Sequence, residues 1–199
     1  MSRKESCDDR TLSLLGRLSL KMSNRLVSKN LVQGSWLDLL CGYNSPLQAR
    51  EISNPKISRF VSLDLKLNPY LKETRIELLE SVIEKKLDFA PESFDNITII
   101  NGLEHLWSPQ EILDECFRVL RKNGTLQVIV PTWLGKPILE WLAFKRKDPL
   151  AHQEMDDHKM YYDEKTLWPM LVKAGFRPRN IMLKRIKFYF SLYAKATKI

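Results

Sequence analysis

The feature that most narrows the fold of this chain is a strand, a signposted helix and a second strand in close succession between residues 94 and 130. FDNITII (Phe94 to Ile100) and TLQVIV (Thr125 to Val130) are short apolar runs with β-branched residues, the pattern of strands buried on both faces. Between them lies SPQEILDECFRVLRKNG. Ser108 is a candidate N-cap, Pro109 takes the first helical position, and Glu111 falls where a capping box wants its carboxylate. Ile112, Leu113, Cys116, Val119 and Leu120 make one apolar face, and Asn123-Gly124 is expected to end the helix. Strand, helix and strand at this spacing imply a parallel pair.

The same reading extends along the chain. Ser35 to Leu40 and Arg59 to Asp64 read as two more buried strands, and Thr11 to Leu31 as an amphipathic leading helix with Leu12, Leu15, Leu18, Met22, Leu26 and Leu31 on its apolar side. That helix is expected to pack on the domain; a membrane-surface helix is the alternative. Further helices are predicted from Lys136 to Lys147 and from Glu164 to Ala174, the latter closed by Gly175 and interrupted by Pro169. Asn180 to Ile186 and Ser191 to Lys198 are close enough to pair as a hairpin. The expected fold class is α/β: one domain over residues 1–199, with 1–34 as a leading helical segment. Its sheet is mostly parallel, with helices on both faces and a C-terminal antiparallel hairpin.

Composition excludes several classes. No run of eighteen apolar residues is present and the first ten residues are charged, so neither a membrane span nor secretion is indicated, and a cytoplasmic location is expected. Cys7, Cys41 and Cys116 are odd in number and lack CxxC spacing, which argues for reduced thiols and against zinc or disulfides. The net charge of +8 suits an anionic partner, but the basic residues are dispersed, so a nucleic-acid partner is not favoured. No oligomeric state is assigned.

The most informative stretch is WLDLLCGYNSP, where a buried strand stops at a glycine. In open α/β sheets ligands sit beyond the carboxyl ends of the strands. Gly42 there lets the backbone turn and approach a ligand closely, and Asp64, at the end of the next strand, is placed to accept hydrogen bonds from a ribose diol. The same pair is compatible with an ordinary turn glycine and a capping or solvated aspartate.

Taken in order, WLDLLCGYNSP, VSLDL, SFDNITIINGLEHL, RVLRKNG, TLQVIVP and DHKMYYDEKTLWPMLVKAGF resemble the small-molecule branch of the class I, methyltransferase type 11-like, S-adenosylmethionine-dependent methyltransferases, from about Trp36 to the end. The resemblance implies a Rossmann-like three-layer sandwich with a seven-stranded sheet and an antiparallel final strand. It also implies S-adenosyl-L-methionine as cofactor and methyl transfer to an O or N of a small-molecule acceptor. Residues Asp38, Leu40, Cys41 and Gly42 would lie beside the methionine part, Asp64 would hold the ribose, and Leu65 would meet the adenine together with Ser81 and Val82. Asn101 and Gly102 would line the pocket near the sulfonium, while Asp95 is implied to be structural.

Three departures from the family pattern are visible. Leu40 stands where glycine is usual, Asn44 where glycine or a small residue is common, and Val82 where an aspartate usually meets the adenine. A domain of this fold that binds the cofactor weakly or not at all is therefore one alternative, and an RNA-directed methyltransferase another. His105 is the first candidate base, at the height where the acceptor should lie, and His158 the second. Thr132 and Trp133 are expected to form the acceptor wall, and Lys145, Arg146 and Lys147 are available to an anionic group. Some quinone O-methyltransferases of the family hold a metal on Glu-x-x-Glu-His; Asn101 occupies the first of those positions here, so no metal site is expected.

Overall fold

The buried runs read from the sequence form neighbouring strands of one seven-stranded sheet in the computed structural model, which describes residues 14–83, 85–146 and 157–199. The strands are β1 (Gly34–Leu39), β2 (Ile57–Asp64), β3 (Ile76–Glu80), β4 (Phe94–Ile100), β5 (Leu120–Pro131), β6 (Ile181–Ile186) and β7 (Ser191–Thr197), in the spatial order β3-β2-β1-β4-β5-β7-β6. All pairs are parallel except β5 with β7 and β6 with β7. The order reverses between β1 and β4, and that switch point sets where a ligand crevice opens.

Side-chain alternation splits the apolar residues into two layers. Leu37, Leu39, Ile97, Ile99, Leu126 and Val128 pack with α3 (Pro109–Val119) and with α5 (Glu164–Lys173), which follows α4 (Lys136–Arg146) in the chain. Trp36, Phe60, Ile129 and Tyr193 face the other way, onto α1 (Leu14–Lys29) and α2 (Pro46–Arg50). The second layer also carries hydrogen-bonded polar groups. Gln48 donates to the carbonyls of Trp36 and Val61, and the Tyr193 hydroxyl donates to Gln127. Asp95, implied to be structural, takes the amide and hydroxyl of Ser35 and the Arg121 guanidinium, all at 2.8 Å.

Several expectations need correcting. The helix after β4 ends at Val119, not at Asn123-Gly124: Leu120 turns extended, is fully buried and pairs with Phe94, so burial of that leucine outweighs another helical turn. Ser108 stands at the N-cap but makes no capping bond, and Glu111 faces Lys85 at 3.6 Å, so the capping box fails there. One forms instead on α5, between Asp163 and Thr166, and that helix runs on through Pro169. In α1 the stripe is displaced: Leu18 and Met22 are exposed, and Ser23, Asn24 and Val27 take the buried face. Thr11, Leu12, Cys7 and Lys147 lie outside the described residues. No helix among the described residues is long and apolar enough to cross a membrane.

Glu115 and Arg118 pin the segment between β3 and β4 onto α3. The guanidinium pairs with both Glu115 oxygens (2.6 and 2.7 Å) and donates to the carbonyls of Leu87 and Phe89, while Glu115 accepts from the Leu87 amide. Replacing Arg118 by Met strips two carbonyls and a carboxylate of their donor. Urea unfolding should show the variant less stable by about 2–3 kcal/mol.

Candidate active site

At the carboxyl end of β1 the chain leaves the sheet through three left-handed residues, Leu40 (φ 55), Gly42 (φ 79) and Ser45 (φ 41). The Leu40 amide still bonds to the Leu63 carbonyl, so β1 and β2 stay paired up to the turn. The Gly42 amide then donates to Asp64 Oδ2 (2.8 Å) and the Leu65 amide to Oδ1 (2.7 Å), which fixes the loop to the end of β2. The Ser81 amide bonds to the Asp64 carbonyl and brings β3 alongside. Asp64 is fully buried, Leu65 half-buried, and Val82, beyond Ser81, is 51% exposed. The structure thus brings Gly42, Asp64, Leu65 and Ser81 together at adjoining strand ends. Asn44 is not left-handed; its carboxamide oxygen accepts from Asn68.

Leu40 is turned into the core. It is only 6% exposed and belongs to the main apolar cluster. Gly102 makes this packing feasible, since a Cβ there would stand 2.6 Å from Leu40 Cβ. Asn101, left-handed at φ 50 and exposed, bonds through its amide to the Ile129 carbonyl. Asp38 lies one layer below. Trp36 Nε1 donates to Thr98 Oγ1 (2.9 Å) and Thr98 donates onward to Asp38. Burial pushes the Asp38 carboxyl up to about 7, the Thr98 bond opposes that shift, and Asp64 adds to it. The half-buried Cys41 thiol is also pushed up, by desolvation and by the charges of Asp38 and Asp64, which removes it as a nucleophile.

A second cluster lies at the ends of β4 and β5. The turn Leu103–His105 carries Glu104 and His105, both buried. Residues 157–162 cross above it, held by the Lys159 amide on the Glu104 carbonyl, the Tyr162 amide on the Pro131 carbonyl and the Tyr162 hydroxyl on the Leu103 carbonyl. This crossing sets the rings of His105 and His158 4.9 Å apart. His105 Nδ1 meets Asp157 Oδ2 at 3.0 Å, and His158 Nδ1 meets the Tyr161 hydroxyl at 3.1 Å. Both candidate bases therefore share one site, and Asp157 serves His105 rather than its sequence neighbour. Asp156 lies outside the described residues. One ligand atom from each of Glu104, His105 and His158 lies within 4.8 Å of the others, a set of groups able to hold a metal.

Sequence reasoning missed Lys187. The turn between β6 and β7 holds Lys187, Phe188 and Tyr189 all left-handed, with Phe188 outward. Desolvation pulls the Lys187 ammonium down to about 8, against the opposing charge of Glu104. No local signal marked it, because its burial comes from the rest of the fold. Burial and the charges of Glu140 and Glu104 raise the Tyr161 phenol to about 12, so it stays neutral. Trp133, 55% exposed, lies against Tyr161 with centroids 5.4 Å apart, and Trp107 lies under Lys159. Lys145 is taken up by the Trp141 ring on its own helix.

The strand order and the reversed last strand define the Rossmann-like methyltransferase class of α/β fold, and solved structures agree. A chain from the complex between the Haloferax volcanii Trm112 methyltransferase activator and the putative methyltransferase matches with a TM-score of 0.70 at 13% identity, covering 88% of each chain. A possible histamine N-methyltransferase from Thermotoga maritima gives 0.65 at 18%, covering 92% of this chain and 90% of that one. The [4+2]-cyclase SpnF gives 0.68 at 14%, covering 99% and 88%. Residues 37–128 match the family model described as a methyltransferase domain. The chain is 30% identical over 115 residues to the ubiquinone/menaquinone biosynthesis C-methyltransferase UbiE of Cereibacter sphaeroides, covering 49% of this chain and 46% of the relative. Over 104 residues it is 30% identical to UbiE of Legionella pneumophila, covering 45% and 42%. The chain thus spans under half the length of the curated relatives it matches.

Two outcomes test this geometry. Gly102→Ala forces the Leu40 contact apart and should cost about 1–3 kcal/mol, with Leu40→Gly in the same chain, which removes the colliding Cβ, recovering part of the loss in a double-mutant cycle. Asp38 is protonated in the folded protein and ionised in the unfolded one between pH 4 and 7, so across that window rising pH removes stability on the order of a few kcal/mol. Asp38→Asn should flatten that part of the urea-derived profile.

Proposed function

We propose that the chain transfers a methyl group from S-adenosyl-L-methionine to an oxygen or nitrogen of a small-molecule acceptor. The observation that carries this reading is the Asp64 carboxylate holding the Gly42 amide at the carboxyl edge of β1 and β2, within a matched methyltransferase domain. The residues present fit the cofactor: a carboxylate at the β2 end for the ribose, Leu65 and the exposed face of Val82 for the adenine, and Ser81 beside them. The cofactor, when bound, supplies an electrophilic methyl group on a sulfonium.

The chain's own task is to bind, align and exclude water. The acceptor lies against Trp133 and Trp107, above Glu104, His105 and His158. With the cofactor bound, the acceptor's oxygen or nitrogen would be the nucleophile toward the methyl group it supplies, and His105 or His158 would take the proton the acceptor loses. Asp157 orients His105 and stabilises its protonated form, which makes His105 the better placed proton acceptor. A cytoplasmic location accords with this chemistry.

A second reading is favoured by one observation. Leu40 occupies a glycine position of the family, and Asp64 already gives both oxygens to backbone amides, so the fold could serve without the cofactor. Calorimetry with S-adenosylhomocysteine separates the two. The methyltransferase reading expects binding in the micromolar range, lowered at least roughly tenfold by Asp64→Ala. No binding by the parent, with binding gained by Leu40→Gly, would establish the second reading instead.

A further inference from the structure

We propose that the rim formed by the loop 132–135, the helix α4 and the turn between β6 and β7 docks on the surface of a bilayer rich in acidic phospholipid. Two segments far apart in sequence build this rim. The Thr132 amide donates to the Phe190 carbonyl (3.1 Å) and the Thr132 hydroxyl to the Tyr189 carbonyl (2.7 Å). Gly135 lies so close to the turn that a Cβ there would stand 2.6 Å from the Phe190 carbonyl oxygen. The loop that carries Trp133 and Leu134 therefore lies directly against the turn that carries Phe188 and Tyr189. Ile138 and Trp141 continue the rim along α4, one helical turn apart on the same face.

These side chains face outward. Phe188 is 87% exposed, and Trp133, Leu134, Trp141 and Tyr189 are each more than half exposed. Lys187, Phe188 and Tyr189 are left-handed in succession, a backbone that costs any residue with a side chain, and the bonds from Thr132 hold it in place. A single exposed apolar side chain is ordinary at a protein surface. A cluster of large ones on fastened backbone marks a surface made for contact.

The charge around the rim points to the partner. Residues 165–199 contain no Asp or Glu, and Lys184, Arg185 and Lys187 lie just before Phe188. Lys136 is paired with Glu140 and Arg185 with Glu164, which leaves the exposed Lys145 and Lys184 and the half-buried Lys187, none of them paired with a carboxylate among the described residues. Two of the rim's cations lie on its rings: the Lys145 ammonium is 4.5 Å from the Trp141 centroid and the Arg185 guanidinium 5.6 Å from that of Tyr189. Trp and Tyr settle at the headgroup level of a bilayer, and lysine stems lie along apolar surface with the ammonium toward phosphate. Each such lysine strengthens partitioning onto an acidic leaflet by about fivefold. A protein partner would need a pocket for each protruding tip and carboxylates for the lysines, which protein interfaces characteristically lack, whereas lipid deforms around the tips. Docking would bring the bilayer alongside the ends of β4 and β5, where Trp133 packs on Tyr161.

The test mixes the full chain with extruded vesicles and follows sedimentation and tryptophan emission. Phosphatidylcholine vesicles with about one third phosphatidylglycerol should bind the chain and shift its emission to the blue at about 0.1 M salt, and about 0.5 M salt should weaken that binding. Phosphatidylcholine alone should bind at least roughly tenfold more weakly. Phe188→Asn combined with Tyr189→Asn, asparagine being tolerant of the left-handed turn, should weaken binding to the acidic vesicles at least roughly tenfold. Lys184→Glu should weaken it by roughly fivefold or more. All three side chains are exposed, so both variants should keep the parent melting temperature. No binding to acidic vesicles, equal binding to the two vesicle types, or binding unchanged in the double variant overturns the proposal. So does a dimer of the parent that the double variant dissolves, which would give the rim to a second copy of the chain. The docking does not rest on the methyl-transfer reading, which calorimetry with S-adenosylhomocysteine tests separately in the absence of lipid.

Discussion

The hydrogen bond from the Gly42 amide to Asp64 is the constraint on which the cofactor side depends. It joins the loop after β1 to the end of β2, and it exists only because the two strands keep parallel register from Trp36 with Phe60 to Leu39 with Leu63. Were the register to slip by one residue, Asp64 would face the opposite layer and the loop amide would lose its acceptor. The second hydrogen bond, from the Leu65 amide, holds the carboxylate in one rotamer. Rigidity is thus built before any ligand arrives, which lowers the ordering cost of binding.

Leu40 shows how a tight turn can hold a left-handed leucine. A left-handed leucine costs on the order of 1 kcal/mol, while full burial of its side chain contributes about 2 kcal/mol. The balance favours the leucine, provided something makes room. Room comes from β4, where Gly102 lacks the side chain that would collide with it. The two strand ends thus share volume across the switch point.

The strands that bury both faces were legible because an uninterrupted β-branched run has few other solutions; β4 coincides with its expected span and β1, β2, β6 and β7 fall within two residues of theirs. β3 left no such signal: it is an edge strand, buried only at Ile76, and its Ile-Glu-Leu-Leu-Glu pattern suits other structures equally. The early end of α3 was hidden because it depends on Leu120 reaching Phe94, a contact no local window contains. The same division runs through the site. Gly42 and Asp64 are marked by strand ends, whereas Asp157 beside His105, and Lys187 facing Glu104, are products of chain crossings.

Those crossings explain why the half of the site at the ends of β4 and β5 is the more polar one. β4 and β5 end in a turn and an extended segment whose carbonyls at Glu104, Leu103 and Pro131 are each taken by residues 159–162. The crossing segment is therefore fastened over the strand ends by backbone bonds on both sides. Glu104 and His105 are buried there, His158 and Lys187 partly so, and desolvation brings a neutral amine at Lys187 within reach of physiological pH. The methyl transfer proposed above, to an oxygen or nitrogen, needs one proton removed at one place. A small set of mutually adjusted side chains, fastened by backbone bonds on both sides, suits that need better than a single exposed histidine would.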